Sequence, residues 1–245
     1  ADLVAIGSMG IRSWNTAQIE ALTSTAIVAL TTAQVEAMTS VHVQGLTSSQ
    51  VAAFETNDLR AMVTSALQNL TTDHLNALNS AQMQALSTLQ VASLTTTQLS
   101  NLSTDNLTAL TTAQYAVMNT LQVGALTTTQ VAALETSDLV ALGTNGLRAL
   151  ESADFRAMST WQVDALTSAQ IASLTSIQAA GLTTSALAAM ATVDVAALST
   201  AVIRSLTTDQ FAAFGSDAIR AMSTQQIEAM TTAHFTTMTT DEMRA

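Results

Sequence analysis

The chain has 245 residues, a formal net charge of −11 at pH 7 and neither Cys nor Pro. The acidic balance argues against a nucleic-acid partner, because such binding neutralises phosphates with basic side chains. The lack of Cys excludes a disulfide or thiolate framework. Because no apolar stretch reaches the ~18 residues of a membrane span, we expect no membrane insertion.

An eight-residue pattern fills the chain without insertion or deletion. Apolar residues recur at Ile6, Trp14, Leu22 and every eighth residue after them. We number repeat positions by the remainder of the residue number divided by eight, which places these residues at position 6. Position 3 is also apolar, position 5 is mostly Ala, position 7 is mostly Ser, Thr or Asn, and position 2 is most often Gln. Position 0 is Ser or Thr in every repeat from Ser8 to Thr240.

The first repeat is already in phase at Leu3, and no basic-then-apolar signal peptide precedes it. Unbroken repeats of this kind are typical of quasi-linear arrays rather than of globular domains. We therefore predict a single continuous solenoid over residues 1–245 that is a segment of a longer array.

The period of eight fits neither a continuous helix nor a strand. Eight residues of α-helix turn by about 800°, so that an apolar stripe would wind around the helix instead of forming one face. In a strand, positions 3 and 6 would point to opposite faces. We predict an all-α superhelix with one very short helix in each of about 30 repeats, where positions 3 and 6 share a face.

Each predicted helix has a start signal. The spacing Thr31-x-x-Gln34 is that of a capping box, with the hydroxyl at position 7 and Gln at the third helical residue. The strictest hydroxyl is nevertheless at position 0. Two alternatives stay open: position 0 is the true cap, or its hydroxyl bonds to carbonyls of the preceding repeat where tight turns usually use Gly or Pro.

Position 4 holds every Arg of the chain and is predicted to face solvent, because charged side chains are rarely buried without a partner. A helix of about six residues is unstable alone, so that neighbouring repeats must stack. We expect three or four repeats per coil around an apolar axis, with Ala at position 5 allowing close approach of backbones.

The segments Leu110-Thr111-Thr112-Ala113-Gln114 and Thr127-Thr128-Thr129-Gln130-Val131-Ala132-Ala133-Leu134 carry a family resemblance. The chain resembles, over essentially its whole length, the Leu-Thr-Thr-Ala-Gln-Val-Ala-Ala-Leu octapeptide arrays of very large secreted or surface proteins of proteobacteria. This resemblance implies an extended, extracellular or cell-surface protein with a structural or adhesive role. It brings no catalytic residues and no cofactor.

The three histidines, His42, His74 and His234, all stand at position 2. We interpret them as substitutes for Gln at the cap. A metal site would need several ligands to converge. His42 and His74 are four repeats apart, so they would stack only if four repeats made one coil.

Three repeats carry Glu at position 7 together with Asp at position 2: Glu55/Asp58, Glu135/Asp138 and Glu151/Asp154. One interpretation is acid placed at a helix N-terminus, where the helix dipole favours negative charge. The other is a weak calcium site, since Ca²⁺ takes carboxylate oxygens. Arg60 and Arg156 follow their Asp by two residues and are candidates to pair with it.

Trp161 is the one aromatic residue at position 1, where we expect it to be exposed and to mark a lateral contact. No Ser/His/Asp arrangement, phosphate-binding loop or acidic cleft departs from the repeat. The sequence therefore favours a protein that is not an enzyme and has no cofactor.

Three functions fit this pattern. The first is a structural subunit of an extracellular filament, stalk or matrix fibre, with other copies of itself as partners, end to end or laterally. The second is the repeat region of a large surface adhesin that binds a host, polysaccharide or cell-surface ligand. The third, binding of ice or mineral through rows of Thr, ranks lower because helix capping would consume those hydroxyls.

Overall fold

A computed structural model describes residues 2–244, and every regular element in that range is an α-helix. The chain forms two compact units, one up to Leu126 and one from Thr127 onward. The helices of the first unit are α1 (Asp2–Ala5), α2 (Gly7–Arg12), α3 (Thr16–Glu20), α4 (Ser24–Val28), α5 (Thr32–Glu36), α6 (Ser40–Gln44), α7 (Ser48–Ala52), α8 (Thr56–Ala61), α9 (Thr64–Leu67), α10 (Thr72–Asn76), α11 (Ser80–Ala85), α12 (Thr88–Ser93), α13 (Thr96–Ser100), α14 (Thr104–Thr108), α15 (Thr112–Tyr115) and α16 (Thr120–Gly124).

The helices of the second unit are α17 (Thr128–Ala133), α18 (Thr136–Ala141), α19 (Gly143–Ala149), α20 (Ser152–Ala157), α21 (Thr160–Asp164), α22 (Ser168–Ala172), α23 (Ser176–Ala179), α24 (Thr184–Ala189), α25 (Thr192–Ala197), α26 (Thr200–Ser205), α27 (Thr208–Ala212), α28 (Ser216–Ala221), α29 (Thr224–Glu228), α30 (Thr232–Thr237) and α31 (Thr240–Met243). This confirms the predicted all-α solenoid with one short helix per repeat. That the array is continuous over 1–245 stays a prediction.

Most helices begin at position 0 because the residue at position 7 caps them. In α5, the Thr31 hydroxyl accepts a hydrogen bond from the Gln34 backbone N–H at 3.3 Å, and Gln34 Oε1 accepts one from the Thr31 N–H at 2.8 Å. Thr31 itself is extended, with φ −83° and ψ 154°. The capping box is therefore confirmed. The alternative that position 0 is the cap is wrong, since position 0 is the first helical residue.

The position 0 hydroxyl has a different role in several repeats. Thr32 Oγ1 donates to Asp58 Oδ1 at 2.9 Å, and Ser168 Oγ donates to Asp194 Oδ1 at 2.8 Å. Ser176 Oγ donates to the carbonyl of Ala201 at 3.2 Å. These bonds run forward by 25 or 26 residues. The second alternative, a bond back to the preceding repeat, is not found for a position 0 hydroxyl in residues 2–244.

The corners between helices need neither Gly nor Pro. Leu86 and Ser87, at positions 6 and 7, have φ −57° and −69° with ψ 135° and 157°, values that any L residue adopts. Two corners differ, because Gly7 and Gly143 have φ 65° and so lie in the left-handed region. At the second of these, a single residue, Leu142, separates α18 from α19.

The core consists of positions 3 and 6. Val51 and Leu59 have no exposed surface, and Phe54 and Met62 are 2% exposed. The same positions are buried in the second unit, as at Phe155. All seven Arg side chains at position 4 are exposed, as predicted. A Cβ added to Gly45, at position 5, would lie 2.7 Å from the carbonyl oxygen of Thr16, which agrees with close backbone approach at that position.

Position 2 is also buried, which the sequence analysis did not predict. Gln114 is 2% exposed, and its Nε2 donates to the carbonyls of Met83 at 3.0 Å and Leu86 at 2.7 Å. In the second unit, Gln178 Nε2 donates to Leu147 and Leu150 at 2.9 Å each. These acceptors lie 31 and 28 residues earlier, at the C-terminal end of the helix four repeats back.

Helix-to-helix packing runs three repeats forward. In the first unit α2 packs on α5 and α5 on α8, and in the second unit α17 packs on α20 and α20 on α23. Since the position 2 amide reaches the fourth helix back while helices pack on the third, one coil takes between three and four repeats. This lies within the range expected from the sequence.

We predict that Gln114→Glu destabilises the first unit by about 3 kcal/mol. The new carboxylate still accepts from the Thr111 N–H, a hydrogen bond of 2.7 Å in the wild type. It has no N–H to donate, and its negative charge faces the carbonyl oxygens of Met83 and Leu86. Urea unfolding followed by circular dichroism measures the effect. Gln84→Glu is the matched control, because Gln84 is exposed; equal losses in both variants would contradict the prediction.

Candidate functional site

The acidic residues at position 2 replace the amide that joins one coil to the next. Asp58 is 3% exposed, whereas its neighbour Glu55, the residue before α8, is exposed. A carboxylate cannot donate to backbone carbonyls as Gln does. In compensation, the Thr32 hydroxyl donates to Asp58 Oδ1 at 2.9 Å. Asp58 thus accepts a hydrogen bond from the adjacent coil, whereas Gln at this position donates hydrogen bonds to it.

The pair Glu151 and Asp154 supports the capping interpretation. Asp154 Oδ2 accepts a hydrogen bond from the Glu151 backbone N–H at 2.8 Å, the bond that Gln makes in other repeats. Asp154 is 6% exposed, and Glu151 is exposed. The Asp therefore serves the N-terminus of α20, while the Glu side chain stays at the surface.

Asp138 shows the electrostatic cost of a buried carboxylate. It is 3% exposed, and burial, together with the negative charge of Glu135, raises its pKa from 3.8 to about 6. Burial is the larger cause, because it disfavours the charged form.

The six acidic residues considered for calcium do not form a ligand cluster. Each Glu is exposed and each Asp is buried. Between residues 2 and 244, no group of three or more His, Cys, Asp or Glu side chains could hold a metal ion. Because Ca²⁺ also takes backbone carbonyl oxygens as ligands, the calcium interpretation remains to be tested by experiment.

The expected pairing of Arg60 with Asp58 and of Arg156 with Asp154 is wrong. No ion pair joins either couple in the part of the chain that the structure describes. Residues two apart in a helix do not share a face, and here the Asp is buried while the Arg is exposed.

The histidines take the place of Gln, as interpreted from the sequence. His42 Nδ1 accepts from the Thr39 N–H at 3.0 Å, and its Nε2 lies 2.9 Å from the carbonyl oxygen of Trp14. The corresponding distances for His234 are 3.2 Å to the Thr231 nitrogen and 2.8 Å to the Leu206 carbonyl oxygen. Both ring nitrogens are used by the fold, which leaves none to bind a metal.

His74 follows the same plan in its repeat. Its Nδ1 accepts from the Thr71 N–H at 3.3 Å, and it makes a hydrogen bond to the Leu46 backbone. Burial lowers the pKa of His74, although the bond to Leu46 and the charge of Asp73 act in the opposite direction. The neutral ring, with a proton on Nε2, is the form that fits both hydrogen bonds.

Trp161 lies on the surface, as expected for position 1, with 77% of the residue exposed. It lines a shallow depression of about 170 Å³ together with Thr160, Asp164 and Ala189. Another depression of the second unit, about 490 Å³ in volume, lies between Ile219 and Met243. No helix between residues 2 and 244 has the length and hydropathy needed to span a bilayer.

We predict that Asp138→Asn stabilises the protein at neutral pH and less at acidic pH. The folded pKa of about 6 lies above the ordinary 3.8, so the contribution of Asp138 to stability is fully present below pH 3.8 and is lost as the pH rises through about 6. Asn cannot ionise and keeps one donor. The melting temperature should rise by about 2–4 °C at pH 7.5, with a smaller gain at pH 4.5.

The control for this pH dependence is Asp209→Asn, because Asp209 is exposed. It makes the same chemical change at the surface of the same unit. A gain for Asp138→Asn that is equal at both pH values would show that its charge is not responsible.

We predict that calcium leaves the melting temperature unchanged. The carboxylates of Asp58 and Asp154 are engaged in a contact between coils and in capping, and within residues 2–244 no third acidic side chain joins a pair. Thermal unfolding is compared in EDTA and in about 5 mM CaCl₂, which exceeds the dissociation constants of ~1 mM found in weak extracellular modules. A calcium-dependent rise that Asp154→Asn abolishes would establish a site.

Comparison with known proteins identifies the family of the chain. The model of the ALTTAQ repeat family matches residues 1–32, 20–48, 51–88, 102–136, 148–184, 187–219 and 211–240. A search of curated proteins finds no significant match. Since the matched segments cover most of the sequence, the chain belongs to the ALTTAQ repeat family.

Proposed function

We propose that this chain is a non-enzymatic structural protein of an extracellular filament, stalk or matrix fibre, built by stacking of octapeptide-repeat coils. The observation that carries the proposal is the recurrent bonding between coils. Gln50, Gln82 and Gln114 in the first unit, like Gln178 in the second, each donate to the carbonyl 28 residues earlier. A contact that recurs with the same groups along the chain is complementary to another coil of the same kind.

The first coil supports this proposal with an exposed donor. Gln18 Oε1 accepts from the Asn15 N–H at 2.9 Å, so that Gln18 caps its helix like the other position 2 residues. Gln18 is exposed, whereas Gln34 and Gln50 are buried, with only 1% and 3% of their surface accessible. The outward side of this coil therefore presents an amide of the type that binds carbonyls elsewhere.

The last coil supports it with an uncovered apolar surface. A depression of about 490 Å³ is lined by Arg220 and otherwise by residues of positions 3 and 6, which form the core in internal coils: Ile219, Met222, Ile227, Met230, Phe235, Met238 and Met243. Phe235 is 47% exposed and Met243 63% exposed. A further coil of the same repeat would bury this surface, whether that coil belongs to the same protein or to another copy, and we propose that for residues 1–245 in solution the first coil of a second copy supplies it. Such a head-to-tail contact propagates as a filament.

The test is assembly of the purified chain, observed by electron microscopy and by light scattering after size exclusion. We expect fibres longer than one chain, and more of them at higher salt, because screening weakens repulsion between chains of net charge −11. Rods of one chain length at all concentrations and salt conditions would overturn the proposal.

Two variants locate the contact. Phe235→Asp puts a charge in the apolar depression, and Gln18→Glu puts a carboxylate where we expect carbonyls of the next copy; both should abolish fibres. The matched control is Leu121→Asp. Leu121 stands at position 1 of the first unit, is 76% exposed and takes no part in the proposed contact. Circular dichroism verifies that each variant is folded. Fibres that persist in both end variants would contradict the proposed contact.

A further inference from the structure

The helix α21 (Thr160–Asp164) departs from the repeat at position 1, where Trp161 is the sole aromatic residue. Asp164 stands at position 4, which is variable and carries Glu in three other repeats. Residues three apart in a helix are neighbours on one face. An exceptional aromatic side chain and a carboxylate thus stand next to each other in a single repeat.

Neither the Trp161 nor the Asp164 side chain belongs to the core or to the caps of α21. Trp161 is 77% exposed, and Asp164 is exposed. Helix α21 is capped by Ser159 and Gln162, and its core residue is Val163. In the described part of the chain, no hydrogen bond or ion pair involves the side chain of Thr160, Trp161 or Asp164. Stability therefore does not explain why a Trp and an Asp stand here.

The three side chains and Ala189 enclose a depression of about 170 Å³. One lining residue is Trp161, whose indole is apolar and has a face with a negative quadrupole that attracts partly positive C–H groups. Beside it lie a carboxylate, which accepts hydrogen bonds, and a hydroxyl, which both donates and accepts. The depression is open, and there is no second aromatic residue to form a cage around a cation.

We propose that Trp161, Asp164 and Thr160 form a binding platform for a neutral sugar ring of a polysaccharide. The ring places its C–H face on the indole of Trp161. Its hydroxyls donate to the carboxylate of Asp164 and exchange hydrogen bonds with the hydroxyl of Thr160. Asp164 and the net charge of −11 select against acidic sugars, because like charges repel. The platform lies on the side of the second unit and does not depend on assembly into filaments.

The experiment uses the indole N–H signals of the full chain in ¹H–¹⁵N NMR spectra. The chain has two Trp residues, so that Trp161→Phe assigns both signals. The probes are four neutral linear hexasaccharides, namely cellohexaose, maltohexaose, mannohexaose and chitohexaose, with an acidic oligogalacturonate as the charged comparison. We expect at least one neutral probe to shift the Trp161 signal in a saturable way, while the signal of Trp14 stays in place and the oligogalacturonate has no effect.

Variants separate the platform from general surface binding. Trp161→Ala should raise the dissociation constant at least tenfold, and Asp164→Asn should raise it about three- to tenfold, with unchanged circular dichroism spectra. The matched control Leu121→Ala removes an equally exposed apolar side chain at the same repeat position and should bind like the wild type. Because each changed residue is at the surface, we expect all three variants to fold.

Three results would overturn the proposal. One is a Trp161 signal that none of the four neutral probes moves. Another is binding that Trp161→Ala retains, since the sugar would then lie elsewhere. The third is a Trp161 signal that shifts with protein concentration in the absence of sugar, which would make this surface a contact between copies of the chain.

Discussion

The Gln side chain that recurs at repeat position 2 is the contact that joins one coil to the next in each unit. A helix of five residues leaves almost all of its N–H and C=O groups without an internal partner. Gln114 serves both ends at once, because Oε1 accepts from the Thr111 N–H while Nε2 donates to Met83 and Leu86 in the adjacent coil. Each coil thereby completes the helix ends of the coil before it. This explains how helices too short to exist alone persist in a stacked array.

The same requirement explains which residues replace Gln. His42 offers one acceptor and one donor nitrogen on opposite sides of its ring, so it reproduces both bonds. Asn106 is shorter, and its amide donates to the carbonyl of Leu75 at 2.8 Å. Asp lacks a donor and needs one from the neighbouring coil, as Asp194 receives from the Ser168 hydroxyl. The polar residues that replace Gln at position 2 thus differ in which of its hydrogen bonds they keep. Ala66, Ala186 and Val202 also stand at this position, where they are buried without a side-chain hydrogen bond.

The sequence predicted what depends on neighbours along the chain and missed what depends on neighbours across coils. Capping by Thr31 and Gln34, burial of positions 3 and 6, and exposure of the Arg residues follow from spacing within one repeat, and the structure confirms them. The burial of position 2 arises from carbonyls 28 and 31 residues earlier, a distance that no local pattern encodes. The repeat pattern did not indicate the left-handed corner at Gly143, because Gly replaces the hydroxyl residue at position 7 in only a few repeats.

The separate roles of the repeat positions indicate which residues can form a specific binding site. Capping, core packing and bonding between coils occupy positions 7, 3, 6 and 2, and a change there disturbs the neighbouring coils as well. Positions 1 and 4 face solvent through much of the chain, so a residue there can change without cost to the stack. Trp161 and Asp164 stand at these two positions. In an array built from recurring contacts, residues that take no part in those contacts are free to bind a ligand. An exposed residue that departs from the repeat, such as Trp161, is therefore the first place to look for a binding site.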